Sequence, residues 1–173
     1  RIEGSAPPAP EVLLDDDAPT FVLLPGFGND AIDYHEPLGQ DPIVGMKACL
    51  KRRGCTLQVS DVRRWEWLKV FYNGLLDEDF RAGNGEADVA FGWYLERAKE
   101  LVEEAVRTSG QPVVLVGHSA GGWLARALMR REGLPWLQAN IRGLVTLGSP
   151  HLPPPPGRMD MTMGCLRNLN TAH

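Results

Sequence analysis

A serine flanked by glycines two residues to either side is the feature of this sequence best suited to chemistry. The segment Gly117-His118-Ser119-Ala120-Gly121 lies between an apolar run, Val113 to Val116, and a stretch with helical periodicity. A strand, a Gly-x-Ser-x-Gly turn and a helix in this order are typical of a nucleophile elbow, which holds the serine hydroxyl above the end of a sheet. We therefore predict that Ser119 attacks an ester or a related acyl carbon.

Glycine at both flanking positions has a steric reason in such a turn. A sharp turn leaves no space for side chains two residues before and after the serine, so we expect Gly117 and Gly121 to be small by necessity. Backbone N–H groups and the dipole at the start of the helix would favour negative charge beside Ser119. The alternative is a serine that merely caps the helix, which would explain one serine and one glycine but not the whole arrangement.

A serine nucleophile also needs hydrogen-bond donors for the oxyanion of the tetrahedral intermediate. The backbone N–H of Ala120, the residue after the serine, is one predicted donor. The loop Pro25-Gly26-Phe27-Gly28 follows an earlier apolar run, and its glycines would let the backbone approach a ligand. Phe27 N–H is the predicted second donor. Taken alone, this loop is equally consistent with an ordinary glycine turn after a strand.

The sequence does not assign the base and the acid that would activate the serine. The four histidines are His35, His118, His151 and His173. We expect His118, which lies inside the turn, to point away from Ser119 and to serve packing or hydrogen bonding. His151 follows the last predicted strand and could face the same rim as Ser119, while Asp160 is the only carboxylate after Ser149. A serine without an adjacent imidazole is a weak nucleophile at neutral pH.

Alternating apolar runs and helix-period stretches predict the elements that would position these residues. The predicted strands are Phe21 to Leu24, Cys55 to Val59, Val113 to Val116 and Leu144 to Leu147. The predicted helices are Ile43 to Leu50, Phe91 to Ala105 and about Gly121 to Arg131, followed by the glycines Gly54, Gly110 and Gly133. This order predicts an α/β fold with a parallel sheet and flanking helices.

Composition divides the chain into three parts. Residues 1–19 read as a flexible acidic and proline-rich segment, residues 20–150 as the α/β core, and residues 151–173 as a proline-rich irregular tail. Aromatic side chains concentrate in an insertion from Asp61 to Glu86. We expect them to pack over the sheet edge as additional core, and the alternative is an apolar rim or lid over an acyl pocket.

The overall composition excludes several classes of function. A net charge of −4 without any block of lysine or arginine argues against nucleic acid as a partner. Three cysteines without CxxC spacing suggest neither a disulfide framework nor a zinc site, and no metal is expected. No apolar run is long enough to cross a bilayer. The sequence also lacks a complete nucleotide-binding fingerprint, so no cofactor is predicted.

Three segments of the chain resemble the α/β-hydrolase superfamily. They are Leu24-Pro25-Gly26-Phe27-Gly28, Val116-Gly117-His118-Ser119-Ala120-Gly121-Gly122 and Thr146-Leu147-Gly148-Ser149-Pro150-His151. The last two are similar to the branch of lipases and GPI-inositol-deacylase-like hydrolases, and to plant and algal plastid α/β-hydrolases. The resemblance covers roughly residues 20–156.

This resemblance implies a partial hydrolase fold whose four strands correspond to the third to sixth of eight. It also implies ester hydrolysis through an acyl-enzyme, with an acyl ester or a lipid as the partner. Because the triad histidine of the superfamily follows the last strand, we expect this chain to be an incomplete catalytic domain. A partner or a missing C-terminal half would then cover the sheet edge. The alternatives are a catalytically silent hydrolase-like module and acyl transfer to an alcohol. The compartment and the oligomeric state are not fixed by the residues, and only the resemblance points to a plastid.

Overall fold

A computed structural model describes residues 18–35 and 45–171 of the chain. The predictions that concern residues 1–17, Ile43 and His173 lie outside these described residues. Within them, the structure confirms the predicted α/β fold class.

The centre of the fold is a sheet of four parallel strands. The strands are β1 (Thr20–Leu24), β2 (Thr56–Val59), β3 (Val113–His118) and β4 (Ile141–Leu147). Their order across the sheet is β2-β1-β3-β4, and every pairing is parallel. All four strands were predicted from their short apolar runs. The near absence of polar residues in β1 and β3 follows from their central position, because helices cover a parallel sheet on both faces.

Apolar cores of different size cover the two faces of the sheet. Val22 and Leu24 of β1 point to the larger core, while Leu23 points to the smaller one on the opposite face. All three side chains are fully buried. The larger core therefore provides most of the apolar burial that stabilises the fold.

Helices connect the strands and cover both faces of the sheet. The helices are α1 (Met46–Lys51), α2 (Leu68–Leu76), α3 (Glu78–Arg81), α4 (Ala87–Ser109), α5 (Ala120–Asn140) and α6 (Cys165–Asn170). Helix α1 lies against the smaller core through Met46 and Leu50. The inward stripe of α4 includes Phe91, Tyr94, Leu95 and Ala98, as its periodicity predicts. It ends at Gly110 in the left-handed conformation, φ 72°, which is a common helix stop. No helix among the described residues is long and apolar enough to span a membrane.

Two features differ from the sequence prediction. Helical structure in α5 resumes beyond Gly133, whose φ of 77° and ψ of 176° mark a kink, and continues to Asn140. The region after Pro150, predicted as irregular, contains α6, whose Cys165 and Leu166 are buried in the larger core. A helix of six residues has no clear periodicity of its own and depends on tertiary packing for its stability.

Strand β4 lies at an edge of the sheet. Its Val145 and Leu147 are 45% and 37% exposed, and they lie on the face of the smaller core, in register with Val116 and His118. On the opposite face, Ile141 and Leu144 pack against the larger core. One face of β4 is therefore partly open to solvent.

An ion pair with a buried carboxylate fixes the insertion between β2 and α4. Glu66 lies in a short 3-10 helix, Arg64–Trp67, and is only 4% exposed. Its carboxylate accepts hydrogen bonds from Arg97 of α4 at 2.7 and 2.9 Å, from Lys69 at 2.9 Å and from Arg63 N–H at 3.0 Å. These contacts, foremost the hydrogen bonds from Arg97, lower the pKa of Glu66 to about 2. The pair thereby fastens the insertion to α4.

We expect Glu66→Gln to lower the free energy of unfolding by about 2 to 3 kcal/mol at pH 7. Because the pKa of Glu66 is lower in the folded chain than in the unfolded chain, the ionised carboxylate stabilises the fold above about pH 4.5. This stabilisation is lost as the pH falls from 4.5 towards 2. Urea denaturation at pH 7 and at pH 3 should therefore give a larger difference between variant and wild type at pH 7.

Glu78→Gln is the matched control, because the Glu78 side chain is 93% exposed. It should leave the unfolding free energy within about 0.5 kcal/mol of wild type. A Glu66→Gln effect that is equal at both pH values would contradict this role for the carboxylate.

Candidate active site

The candidate site lies where the chain changes direction across the sheet. From β1 the chain runs outward to β2, and it then returns to the other side of β1 as β3. The connections that follow β1 and β3 therefore leave the sheet in opposite directions. Between the points where they start, a crevice forms at the carboxyl ends of the two strands, the usual ligand position in open α/β sheets. The loop at 25–29 and the turn at Ser119 meet in this crevice.

Ser119 has a strained backbone between β3 and α5. Its φ of 50° and ψ of −120° are unusual for a residue with a side chain, and Met163 is the only other non-glycine residue with positive φ in the described part of the chain. Such a conformation costs about 1 to 3 kcal/mol and persists where the surroundings enforce it. Here Ser119 N–H donates to Leu147 O at 2.8 Å, and Ser119 O accepts from Gly122 N–H at 3.1 Å.

The glycines around this turn lie against backbone atoms. A Cβ at Gly121 would clash with the carbonyl oxygen of Leu24 in β1, and one at Gly117 would clash with the backbone of Gly122. A Cβ at Gly26 would lie only 2.9 Å from the Cβ of Ser119. The absence of side chains thus lets the first turn of α5 sit directly against the ends of β1 and β3.

The three residues predicted to take part in chemistry line one cavity. Ser119, Ala120 and Phe27 all contribute to the wall of a space of about 380 Å³. Among the described residues, none accepts a hydrogen bond from Phe27 N–H or Ala120 N–H. Neither donor is therefore occupied within the described part of the chain. Their convergence on a single oxyanion remains a prediction.

The cavity is predominantly apolar. Its remaining lining residues are Val70, Phe71, Gly74, Phe80, Arg81, Phe91, Trp123, Pro150, Met159, Asp160, Met161, Thr162 and Met163. Pockets lined by aromatic and methionine side chains suit a flexible apolar ligand. Ser119 is a polar group on an otherwise mostly apolar wall. An ester with an apolar acyl chain would need such a wall for the chain and a polar group at its carbonyl.

The aromatic insertion serves as both core and cavity wall. Trp67 and Phe80 are buried in the larger core, as expected. Phe80 also lines the cavity together with Phe71, which is 56% exposed. The ring of Phe27 lies 5.1 Å from that of Trp67 and 6.0 Å from that of Phe71, measured between centroids. The expected packing into the core therefore holds for Trp67 and Phe80 but not for the exposed Phe71, and a role of these rings as a rim over an acyl pocket stays a prediction.

Sequence reasoning missed the wall formed by residues 159–163. Asp160 organises this segment, because its carboxylate accepts hydrogen bonds from the N–H and hydroxyl of Thr162 and from Gly164 N–H, at 2.6 to 3.2 Å. Met163 O accepts from Gly85 N–H at 2.8 Å, which joins the segment to the loop before α4. The bonds of Asp160 are local, whereas no local sequence signal marks the long-range bond between Gly85 and Met163.

Two of the histidines form hydrogen bonds directed elsewhere. His118 Nδ1 lies 2.9 Å from the hydroxyl of Tyr34, on the face of the smaller core. His151 Nε2 lies 3.1 Å from Thr146 Oγ1, and its Nδ1 lies 3.5 Å from a guanidinium nitrogen of Arg126. His35 follows the short helix Ala31–Tyr34. Across the described ranges, no histidine lines the cavity of Ser119, and no three metal-ligating side chains come together.

Comparison with protein families gives one match over more than half of the chain. The model of the PGAP1-like alpha/beta domain matches residues 76–171. This range includes α4, the turn at Ser119, β4 and the segment that completes the cavity wall. The match therefore covers most of the candidate site, and it leaves out the loop after β1 and the part of the cavity wall formed by α2.

Curated relatives match a shorter part of the chain. The lysosomal phospholipase A and acyltransferase of Homo sapiens is 37% identical over 59 residues, and that of Canis lupus familiaris is 36% identical over 59 residues. Each alignment spans 34% of this chain but only 14% of the relative. The chain therefore corresponds to a small part of these larger proteins.

Among solved structures, the crystal structure of the Bacillus licheniformis lipase BlEst2 in mature form has a similar fold. The TM-score is 0.52 with 17% sequence identity, and the match covers 84% of this chain and 46% of the lipase. The four strands and their helices thus form part of an α/β-hydrolase fold.

We expect Gly121→Ala to lower the free energy of unfolding by about 3 kcal/mol or more, because the added methyl group meets the Leu24 carbonyl. Gly92→Ala in α4 is the matched control, since no atom lies within 4 Å of a Cβ there. It should stabilise the chain by about 0.5 to 1 kcal/mol through helix propensity. Thermal and urea unfolding would measure both changes, and equal effects of the two variants would refute the close approach at Gly121.

Proposed function

Because this chain belongs to the family of PGAP1-like alpha/beta domains, we propose that it provides the nucleophile of a serine ester hydrolase acting on an acyl ester or a lipid. The observation that carries this proposal is the position of Ser119. The serine has a strained backbone at the start of α5, and it opens into an apolar cavity together with Phe27 and Ala120. In this proposal, the turn is a nucleophile elbow.

The proposed reaction begins with attack of Ser119 Oγ on the ester carbonyl carbon. The carbonyl π electrons move to oxygen, and the N–H groups of Phe27 and Ala120 donate hydrogen bonds to the resulting oxyanion. Collapse of the tetrahedral intermediate expels the alcohol, which takes a proton, and leaves an acyl group on Ser119. Water then attacks this acyl-enzyme, releases the carboxylic acid and restores the serine. The apolar wall would hold the acyl chain throughout.

Attack by Ser119 requires a base that removes the hydroxyl proton. The hydrogen bonds of His118 to Tyr34 and of His151 to Thr146 support the proposal that neither serves as this base in the conformation described. They favour a second candidate function, a silent hydrolase-like module that binds an acyl chain without turning it over. An alcohol in place of water at the second step would make the reaction an acyl transfer, the activity named for the lysosomal relatives.

Octylboronic acid tests the proposed nucleophile. Boron accepts the Ser119 oxygen, the hydroxyl proton leaves to solvent, and the boron becomes a tetrahedral anion like the intermediate of ester hydrolysis. We expect the wild-type chain to give a tetrahedral resonance in ¹¹B NMR and Ser119→Ala to give none. A wild-type chain that forms no adduct, or an adduct that persists in Ser119→Ala, would overturn the assignment of Ser119.

Turnover of p-nitrophenyl butyrate separates the two candidate functions. Loss of a triad member lowers turnover by on the order of 10⁴ in serine hydrolases. We therefore expect the 173-residue chain to be slow, with its residual rate removed by Ser119→Ala. An adduct without any Ser119-dependent turnover would favour the silent module. Rapid Ser119-dependent turnover would show that one of the four histidines acts as the base, with His151 as the first candidate.

We also propose that a partner or a further part of the protein covers β4, a proposal supported by the exposed Val145 and Leu147. An uncovered edge strand with apolar side chains promotes self-association. We expect sedimentation velocity to detect association of the isolated chain that weakens in Val145→Lys. Leu134→Lys is the matched control, since Leu134 is 65% exposed in α5. Equal behaviour of both variants would argue against association through β4.

A further inference from the structure

The peptide group between Gly26 and Phe27 carries one of the two proposed oxyanion donors. A peptide group is planar and trans, so its carbonyl and its N–H point in opposite directions. Gly26 O accepts a hydrogen bond from Asn29 N–H at 3.0 Å, within the loop itself. Whatever holds the Gly26 carbonyl therefore also sets the direction of Phe27 N–H. A turn of this kind can flip unless its neighbouring peptide groups are held as well.

Tyr94 holds the peptide group on one side of Gly26. Its hydroxyl donates to Pro25 O at 2.7 Å, and the side chain is fully buried. Burial raises the pKa of Tyr94 well above its usual value, which keeps the hydroxyl protonated and able to donate. The tyrosine lies on α4, 69 residues from its acceptor. The longest helix of the fold is thereby bonded directly to the loop after β1.

Tyr34 holds the N–H of Gly26. Its hydroxyl oxygen accepts from Gly26 N–H at 3.0 Å and lies 2.9 Å from His118 Nδ1. The same hydroxyl therefore bonds both to the loop after β1 and to the imidazole of His118. His118 precedes Ser119, so Tyr34 links the turn that carries the serine to the loop that carries the oxyanion donor.

We propose that Tyr34 and Tyr94 are positioning residues that fix the Pro25–Gly26 peptide and thereby orient the adjoining Gly26–Phe27 peptide as the oxyanion requires. The oxyanion part of this inference rests on the proposed function, whereas the orientation of the peptide does not. The two hydroxyls bind the two ends of one peptide group, the carbonyl of Pro25 and the N–H of Gly26, and so fix the peptide plane that precedes the Gly26–Phe27 peptide. The bond from Asn29 N–H to Gly26 O acts in addition on the Gly26–Phe27 peptide itself. The N–H of Phe27 at the other end of this peptide has no acceptor among the described residues. A preorganised donor stabilises the oxyanion more effectively, because the loop does not have to rearrange when the negative charge develops.

The test compares Tyr94→Phe and Tyr34→Phe with wild type in two binding measurements. Octylboronic acid forms the tetrahedral anion and needs the oxyanion donors, whereas 1-octanol occupies only the apolar cavity. We expect each variant to bind the boronic acid about 10- to 100-fold more weakly, with octanol affinity within about twofold of wild type. Tyr72→Phe is the matched control, because the Tyr72 side chain is 69% exposed and lies outside the cavity wall. It should change neither affinity.

Amide hydrogen exchange tests the orientation without any ligand. The exchange rate of Asn29 N–H reports its bond to Gly26 O, and we expect both variants to raise this rate at least 10-fold while α4 amides stay protected. Unchanged exchange at Asn29, or parallel losses of boronic acid and octanol affinity, would overturn the positioning role. If the wild-type chain forms no boron adduct while Asn29 exchange still rises in the variants, the proposed function fails and the loop restraint stands. Should Tyr94→Phe not fold, Tyr34→Phe carries both measurements.

Discussion

The structure depends on the close approach between the first turn of α5 and the carboxyl ends of β1 and β3. This approach is available only where Cβ atoms are absent, at Gly26, Gly117 and Gly121. It forces Ser119 into a positive φ, and the resulting strain is offset by the backbone bond from Ser119 N–H to Leu147 O in β4. The serine is thus fixed by backbone contacts with the neighbouring strands and loops, so its position does not rely on its own side chain.

The second requirement of the site is an apolar wall, and the sheet does not supply it. Helices α2 and α3 of the insertion provide Phe71 and Phe80, and the segment 159–163 provides three methionines. The ion pair of Glu66 with Arg97 fastens this insertion to α4. Neither Glu66 nor Arg97 lines the cavity, so this anchor holds the insertion in place without adding its charges to the apolar wall.

The loop after β1 is held mainly by side chains distant in sequence. Besides the two tyrosines, Trp67 Nε1 donates to Asn29 O at 2.9 Å and Arg64 Nε donates to Gly28 O at 3.0 Å. Most carbonyl and N–H groups of this short loop therefore have partners, and the N–H groups of Phe27 and Gly28 are the two that have none among the described residues. Unpaired N–H groups on a loop whose other polar groups are bonded are suited to bind an anionic oxygen.

The sequence by itself determined the four strands, helix α4 and the turn at Ser119. Each depends on a local signal: an apolar run of strand length, a stripe with helical periodicity, or glycines at fixed distances from a serine. Only the tertiary structure decided that Phe71 faces the cavity and Trp67 the core, that residues 159–163 complete the wall, and that Cys165–Asn170 is helical. It also decided that Tyr34 bonds to His118, 84 residues away. These features arise from contacts between distant segments, and such contacts leave no periodicity in the chain that makes them.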